Sequence, residues 1–479
     1  MNVSFFQELL NTVAEQGRSF LPKALFGDEP EQGMQTLVDA LVSGRGEASG
    51  VAIARQILCH YKLLSADEKR AFFRYLAAAP VLKPDADLVF EAAETYVREQ
   101  GDAALSRLQS VVESPRQEFF RRLNLAPGAT AEIVAMRRDL LRMRKDDAGL
   151  QAVDQDLRHL LSSWFNRGFL VLRKIDWQTP AAILEKIIAY EAVHEIKGWE
   201  DLRRRLDPAD RRCFAFFHPS LVDDPLIFVE VSLGDEMADA IAPVLNEERK
   251  SQPLLEPTTA VFYSISNCQE GLQGISFGNF LIKQVVEELA KELPSLNTFV
   301  TLSPVPNFAR WLDRTLGDDR EELLNDEDRL LLSSLSDPEW YERHSNDDAL
   351  KSAVLGLAAH YLIRSKSERN RPVDPVARFH LGNGAKLARI NWLGDASDKG
   401  LRQAHGLMVN YRYDVKDIEK NHEAYANDGQ IAVSRAVKGH LKPRKKGGVE
   451  PGKVLMLPTA PPEAEPVDEA PDAESKEKA

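Results

Sequence analysis

Two rhythms of apolar residues divide the chain. In the first third they return every three or four positions, through MQTLVDALV (34–42), ARQILCHYKLL (54–64), EKRAFFRYLAAA (68–79), DLVFEAAETYV (87–97), EIVAMRRDLLRM (132–143) and DLRHLLSSWF (156–165). That spacing lays an apolar stripe along a helix, and no alternating β-branched run interrupts it. Ser65-x-x-Glu68 and Ser114-Pro115-x-Gln117 read as capping boxes that start two of these helices, the second with proline at the first helical position. Residues 1–167 therefore predict an all-helical bundle domain.

At Arg167-Gly168 the rhythm changes. FLVLRKI, CFAFFHP, PLIFVEVSL, AVFYSIS, NTFVTLSP, ARFHL, AKLARINW and GLMVNYRY read as strands. AAILEKIIAYEAVHE, opened by Thr179 as N-cap and Pro180 at N1, FGNFLIKQVVEELAKEL and ALKSAVLGLAAHYLI read as helices. FHL-GNG-AKLARINW reads as a hairpin whose glycines supply positive φ. The expected fold is α + (α/β): the helical bundle of 1–167, then a mixed, largely antiparallel sheet flanked by helices over 168–442. A Pro/Glu-rich tail over 443–479 has too little apolar content to fold.

Charge and composition narrow the partners. A formal charge of −13 argues against a nucleic-acid surface, although residues 459–479 alone hold seven acids and two lysines. Cys59, Cys213 and Cys268 form no CxxC pair, which excludes a zinc ribbon and points to a reducing compartment. No apolar run reaches membrane-span length, and the N-terminus lacks the basic flank of a signal peptide. A cytoplasmic location is expected. The Arg-rich stretch RRDLLRMRKDD (137–147) reads as a solvated helix face in preference to an anion site.

The densest local signal follows AVFYSIS. Gly271, Gly274 and Gly278 fall within eight residues between a strand and an amphipathic helix. Glycines there let a phosphate approach the backbone at the positive end of the following helix. No GxxxxGK[ST] pattern is present, so an NTPase cradle is not expected. Tight turns without a ligand would use the same glycines.

Longer strings decide between these readings. FYSISNCQEGLQGISFGNFLIK (262–283), TLSPVPNFARWL (301–312), DPVARFHLGNGAKLARINWLGDAS (374–397) and GLMVNYRY (406–413) resemble the malonyl-CoA decarboxylase family in order and spacing. The likeness covers roughly 155–440 and is fainter in the helical part. It implies an N-acetyltransferase-like catalytic domain that converts malonyl-CoA to acetyl-CoA and CO2 with no metal and no biotin. It also implies a homotetramer built through the helical domain. By the same resemblance Gln273, Gly274, Ile275, Ser276, Phe277, Gly278 and Asn279 form the CoA pyrophosphate loop, and Ser303 and His380 are the catalytic pair.

The chemistry suits those residue types. Losing CO2 from a malonyl thioester leaves an enolate that needs its oxygen stabilised and its Cα protonated. A histidine near its ordinary pKa is a fitting donor, and a strand-end hydroxyl can orient a carboxylate or relay a proton. Taken alone, Ser303 before Pro304 reads more readily as a turn residue, and His380 beside Phe379 as a satisfied core or surface histidine. His218, Cys268, Tyr411 and Tyr413 are expected as packing residues or pocket walls, outside the catalytic set. Two rival readings stay open: a CoA-dependent acyltransferase, and a non-catalytic acyl-CoA-binding scaffold.

Overall fold

Ser65 accepts the Glu68 N–H while the Glu68 carboxylate takes the Ser65 N–H, closing the expected capping box at the head of the Ala66–Ala78 helix. The second expected box closes on one side only. Ser114 accepts from Arg116 N–H and Pro115 sits in the first turn, but the Gln117 amide turns away to Asp156 at 2.8 Å. Held there by the buried carboxylate, and with its Oε1 facing Arg121 Nη2 at 3.5 Å, the Gln117 side chain does not accept the Ser114 N–H. Thr179 likewise serves its other neighbour, accepting from Asp176 N–H, so the Ala181–Tyr190 helix starts behind Pro180 without a side-chain cap.

The computed structural model describes Thr12 and residues 30–441, except for 44–45, 250–255, 278–280, 319–322 and 369. The expected tail over 443–479 lies outside the described residues. Helices from Pro30–Val42 to Gln151–Trp164 make up the first part of the chain. Strands then alternate with helices: β1 (Val171–Ile175), β2 (Arg211–Phe217), β3 (Pro225–Gly234), β4 (Thr259–Asn267), β5 (Thr298–Thr301), β6 (Ser303–Pro304), β7 (Lys386–Asn391) and β8 (Met408–Arg412). They form one sheet in the order β1-β2-β3-β4-β5-β8-β6, with β7 paired to β8. Every named pair is antiparallel except β4 and β5.

One face of β1–β3 packs Cys213, Ala215, Phe217 and Phe228 against Ile183, Leu184, Ile187 and Leu202 of two helices. The other face joins a single apolar cluster that runs from the bundle (Phe119, Ile133, Leu157) through Phe262 and Phe299 to Tyr411. The bundle and the sheet share a core across the expected boundary at 167/168. No described helix is long and apolar enough to cross a membrane.

One expected strand is a helix. ARFHL lies in the Pro375–Gly382 helix, and the FHL-GNG-AKL hairpin is not made. Asp374 accepts the Ala377 N–H at 2.7 Å and Pro375 occupies the first helical position. This Asp-Pro start fixes the chain as a helix, and a short run such as ARFHL carries too few residues for its period to overrule it. Gly384, at φ +82°, then turns the chain into β7.

Inside the bundle, Arg116 reaches Asp156 at 2.7 Å and the Leu76 carbonyl at 3.0 Å, with both charged groups nearly dry. Arg116→Ala should therefore lower stability by about 3–5 kcal/mol, because Asp156 would stay buried and uncompensated. A urea melt with a loss under about 1 kcal/mol would mean that the pair is solvated in solution.

Candidate active site

Among the described residues, the one parallel pairing between named strands is short. Thr259–Phe262 run beside Thr298–Thr301, and the last ladder bond is Leu302 N–H to Phe262 O at 2.9 Å. Beyond it β4 continues on β3, while the partner chain turns into β6 and pairs with β8 through Ser303 opposite Val409. A parted parallel pair of this kind opens a wedge in the sheet, and Ser303 stands at its edge.

His380 arrives from the Pro375–Gly382 helix. Its Nε2 lies 3.1 Å from Ser303 Oγ and its Nδ1 2.9 Å from the Tyr413 hydroxyl. Ser303 Oγ donates to Thr301 Oγ1 at 2.8 Å, which also accepts the Tyr411 N–H at 3.1 Å. With the Ser303 proton committed to Thr301, the network assigns Nε2–H as donor to Ser303 and Nδ1 as acceptor from Tyr413. The ring stacks on Tyr411 at 4.6 Å between centroids and 22° between planes. All five side chains are buried. The two residues implied by resemblance are thus in hydrogen-bonding contact across 77 positions of sequence.

The electrostatics differ from the expectation of an ordinary histidine. Burial pushes His380 from 6.5 down to about 3, so the ring is neutral at neutral pH. Burial also raises the Tyr411 and Tyr413 hydroxyls well above their usual range and lifts Asp374, the helix cap, to about 6. Charge is expensive throughout this pocket.

Tyr411 and Tyr413 sit beside the ring, closer to the chemistry than the expectation of pocket walls allowed. Their two-residue spacing in GLMVNYRY, read as a strand, puts them on one face, and that was the available signal. His218 lies elsewhere, with Nδ1 accepting the Ser220 N–H and its ring 4.7 Å from Phe165. Cys268 is a buried thiol at the end of β4, its pKa raised by desolvation.

At the far end of β4, Glu270–Leu272 form a tight turn, and Gly274 takes φ +75°. Leu272, Ile275 and Phe277 are anchored in the core, while Gln273, Gly274 and Ser276 face outward. Among the described residues, the amides of Gly274 and Phe277 donate to no acceptor, whereas Ile275 N–H is held by Leu272 O at 3.0 Å. Gly278 and Asn279 lie outside the described residues; Leu281–Glu292 is helical. Among the described residues no group of three His, Cys, Asp or Glu could hold a metal ion.

The parted sheet, its flanking helices and the preceding bundle define a chain in which a helix-flanked mixed-sheet domain is joined to a helical domain. The family model for the malonyl-CoA decarboxylase C-terminal domain matches residues 168–450, and that for the N-terminal domain matches 82–165. Mitochondrial malonyl-CoA decarboxylase from Anser anser anser is 37% identical over 371 residues, 72% of this chain and 73% of that one. The protein of the same name from Rattus norvegicus is 36% identical over 70% of this chain and 72% of its own. Crystal structures of malonyl-CoA decarboxylase from Rhodopseudomonas palustris (52% identity, TM-score 0.83) and Agrobacterium vitis (55%, 0.80) each cover 86% of this chain and all of their own. The chain belongs to the malonyl-CoA decarboxylase family.

A ring neutral in the fold but free to protonate once unfolded favours unfolding in acid. The stability it contributes is complete above about pH 6.5 and is lost as pH falls toward about 3. Between pH 7 and 5 wild type should therefore lose up to about 2 kcal/mol more than His380→Asn. Parallel losses in the two proteins would show that the ring is solvated and titrates normally.

Proposed function

We propose that this chain decarboxylates malonyl-CoA, with Ser303 and His380 as the groups that touch the acyl end. The supporting observation is the buried hydrogen-bonded pair at the point where β4 and β5 part. The thioester lies in the wedge, and the Ser303 hydroxyl swings from Thr301 to the substrate. The bond from Cα to the carboxyl carbon breaks, its electron pair passes into the thioester enolate, and CO2 leaves. Cα then takes a proton from the Ser303–His380 pair, so each turnover consumes one proton, which solvent returns to the pair. A neutral imidazole N–H serves here, as a neutral histidine does in other sites that polarise a carbonyl. Tyr413, donating to Nδ1, holds the tautomer that points Nε2–H at Ser303.

Residues 273–279 are proposed as the CoA pyrophosphate loop, supported by the open amides of Gly274 and Phe277. No metal or biotin is assigned to the reaction: the chain has no MKM biotin site. Self-association through the helical domain is supported by its apolar outer residues, Phe90 at 71% exposed and Val97 at 72%. The vertebrate relatives carry "mitochondrial" in their names. We keep a cytoplasmic placement for this chain, on its three unpaired cysteines.

Malonyl-CoA alone should yield acetyl-CoA and CO2, before and after exhaustive EDTA and avidin treatment. A requirement for an acceptor amine would favour an acyltransferase, binding without turnover a scaffold, and metal-restored activity a metal-dependent lyase. Within the decarboxylase reading, His380→Asn should lower kcat by roughly 10²–10⁴ with little change in KM. Ser303→Ala should also lower kcat. The double variant should lose much less than the product of the single effects, since both groups serve one transition state. Near wild-type kcat in His380→Asn would make the histidine structural.

A further inference from the structure

RRDLLRMRKDD does not behave as one solvated face. Arg137, from the Ala129–Met143 helix of the bundle, is 2% exposed, and its guanidinium crosses to the glycine loop. Nη1 donates to the carbonyls of Gly271 at 2.6 Å and Gln273 at 3.0 Å, while Nε is held by Asp154 at 2.9 Å. Arg144 closes on the other oxygen of the same carboxylate. The approach is tight: a Cβ on Gly271 would stand 1.9 Å from the Val134 carbonyl oxygen. Arg142 adds an outer clasp to Glu270 at 2.8 Å.

These contacts have a direction. Two loop carbonyls are drawn inward onto a buried cation, so the outward edge of the turn is left to amides. Gly274, at that edge, takes a left-handed φ, and the nearest heavy atom to a Cβ placed there is Cζ of Arg158, 3.9 Å away. Arg158 comes from the Gln151–Trp164 helix and is exposed. Unlike Arg137, Arg142 and Arg144, it has no acidic partner among the described residues. An unpaired guanidinium beside open amides and a glycine is a phosphate-binding combination.

We propose that the helical domain completes the CoA phosphate site: Arg158 contacts the phosphates across Gly274, and Arg137, pinned by Asp154, is the positioning residue that holds the loop. This rests on the reading of 273–279 as the pyrophosphate loop. The nucleotide end of the substrate is then gripped between the two domains.

The test compares malonyl-CoA, malonyl-dephospho-CoA and malonyl-pantetheine as substrates. Arg158→Gln should raise KM for malonyl-CoA about ten- to hundred-fold, the weight of one hydrogen bond to a charged group, and leave kcat roughly unchanged. Arg158→Lys should recover part of the loss. KM for malonyl-pantetheine, which has no nucleotide phosphates, should not move. An effect kept with the dephospho substrate places the arginine on the pyrophosphate, and one lost with it places it on the 3′-phosphate; both support the proposal. Arg137→Lys should show the same split between long and short substrates. If it fails to fold, the exposed Arg158 still carries the test. An unchanged KM in Arg158→Gln, or an equal rise with malonyl-pantetheine, overturns it. Gly274→Val separates this from the loop assignment. If that folded variant binds acetyl-CoA normally, the loop assignment itself fails. If it binds weakly while Arg158→Gln is normal, only the role of the arginine fails.

Discussion

The parting of β4 from β5 is the constraint on which the rest of the site depends. Four residue pairs hold the two strands together, and then their ladders belong to different neighbours. A break of this kind strands backbone groups that must be satisfied inside the protein. Asn410, fully buried on β8, fills the gap: its amide donates to the Thr301 carbonyl at 2.7 Å and to the Ala238 carbonyl at 3.0 Å. Arg389 and Asn391 in turn donate to its oxygen, each at 2.9 Å. A side chain thus replaces a ladder bond at the kink, and Ser303 is delivered to the edge of the wedge without an orphaned carbonyl beneath it. On the β3 side, a register shift at Glu230/Val231 leaves Tyr263 without a partner in the ladder, where β4 begins to leave β5. Such irregularities add local twist, which helps the two strands diverge.

Most of this architecture was legible in the chain because it is written in short-range periods. The β-branched runs at 225–233 and 260–266 are strands, and the 3.6-residue stripes of the bundle are helices, since burial of one face selects those periods. What failed was local competition. ARFHL alternates well enough for a strand, but Asp374 and Pro375 just before it supply a cap and a preset φ, and the helix wins. The same change of element turns His380 from a strand residue into one aimed across the sheet at Ser303. Neither its burial nor its partner Tyr413 can be read from residues 77 and 33 positions away.

Arg137 was misread for a related reason. Helical periodicity tells which residues share a face, but it does not tell what that face meets. Here the face meets a turn more than 130 residues later, and the buried guanidinium is tolerable only because Asp154 and two carbonyls receive it. The glycine at 271 belongs to the same contact: its missing side chain is space taken by the Val134 carbonyl. Two of the glycines first noticed as possible ligand contacts therefore differ in purpose. Gly271 makes room for the bundle, and Gly274 turns the chain outward.

The burial that holds His380 near 3 also bears on the reaction assigned to the site. A malonyl carboxylate carries its charge on two oxygens, and water stabilises it strongly. The transition state for losing CO2 spreads that charge into the thioester and needs water less. A site flanked by Tyr411 and Tyr413, with no charged side chain hydrogen-bonded to the Ser303–His380 pair among the described residues, therefore penalises the bound carboxylate more than the transition state. Such a pocket destabilises its own substrate, so affinity has to come from elsewhere on the molecule. If residues 273–279 are the pyrophosphate loop proposed above, the phosphates of CoA, placed at the distant end of β4, are the part of the substrate able to offset that cost. On this reading the dry pair and the charged loop are two halves of one requirement, and the helical domain that braces the loop becomes part of the catalytic apparatus.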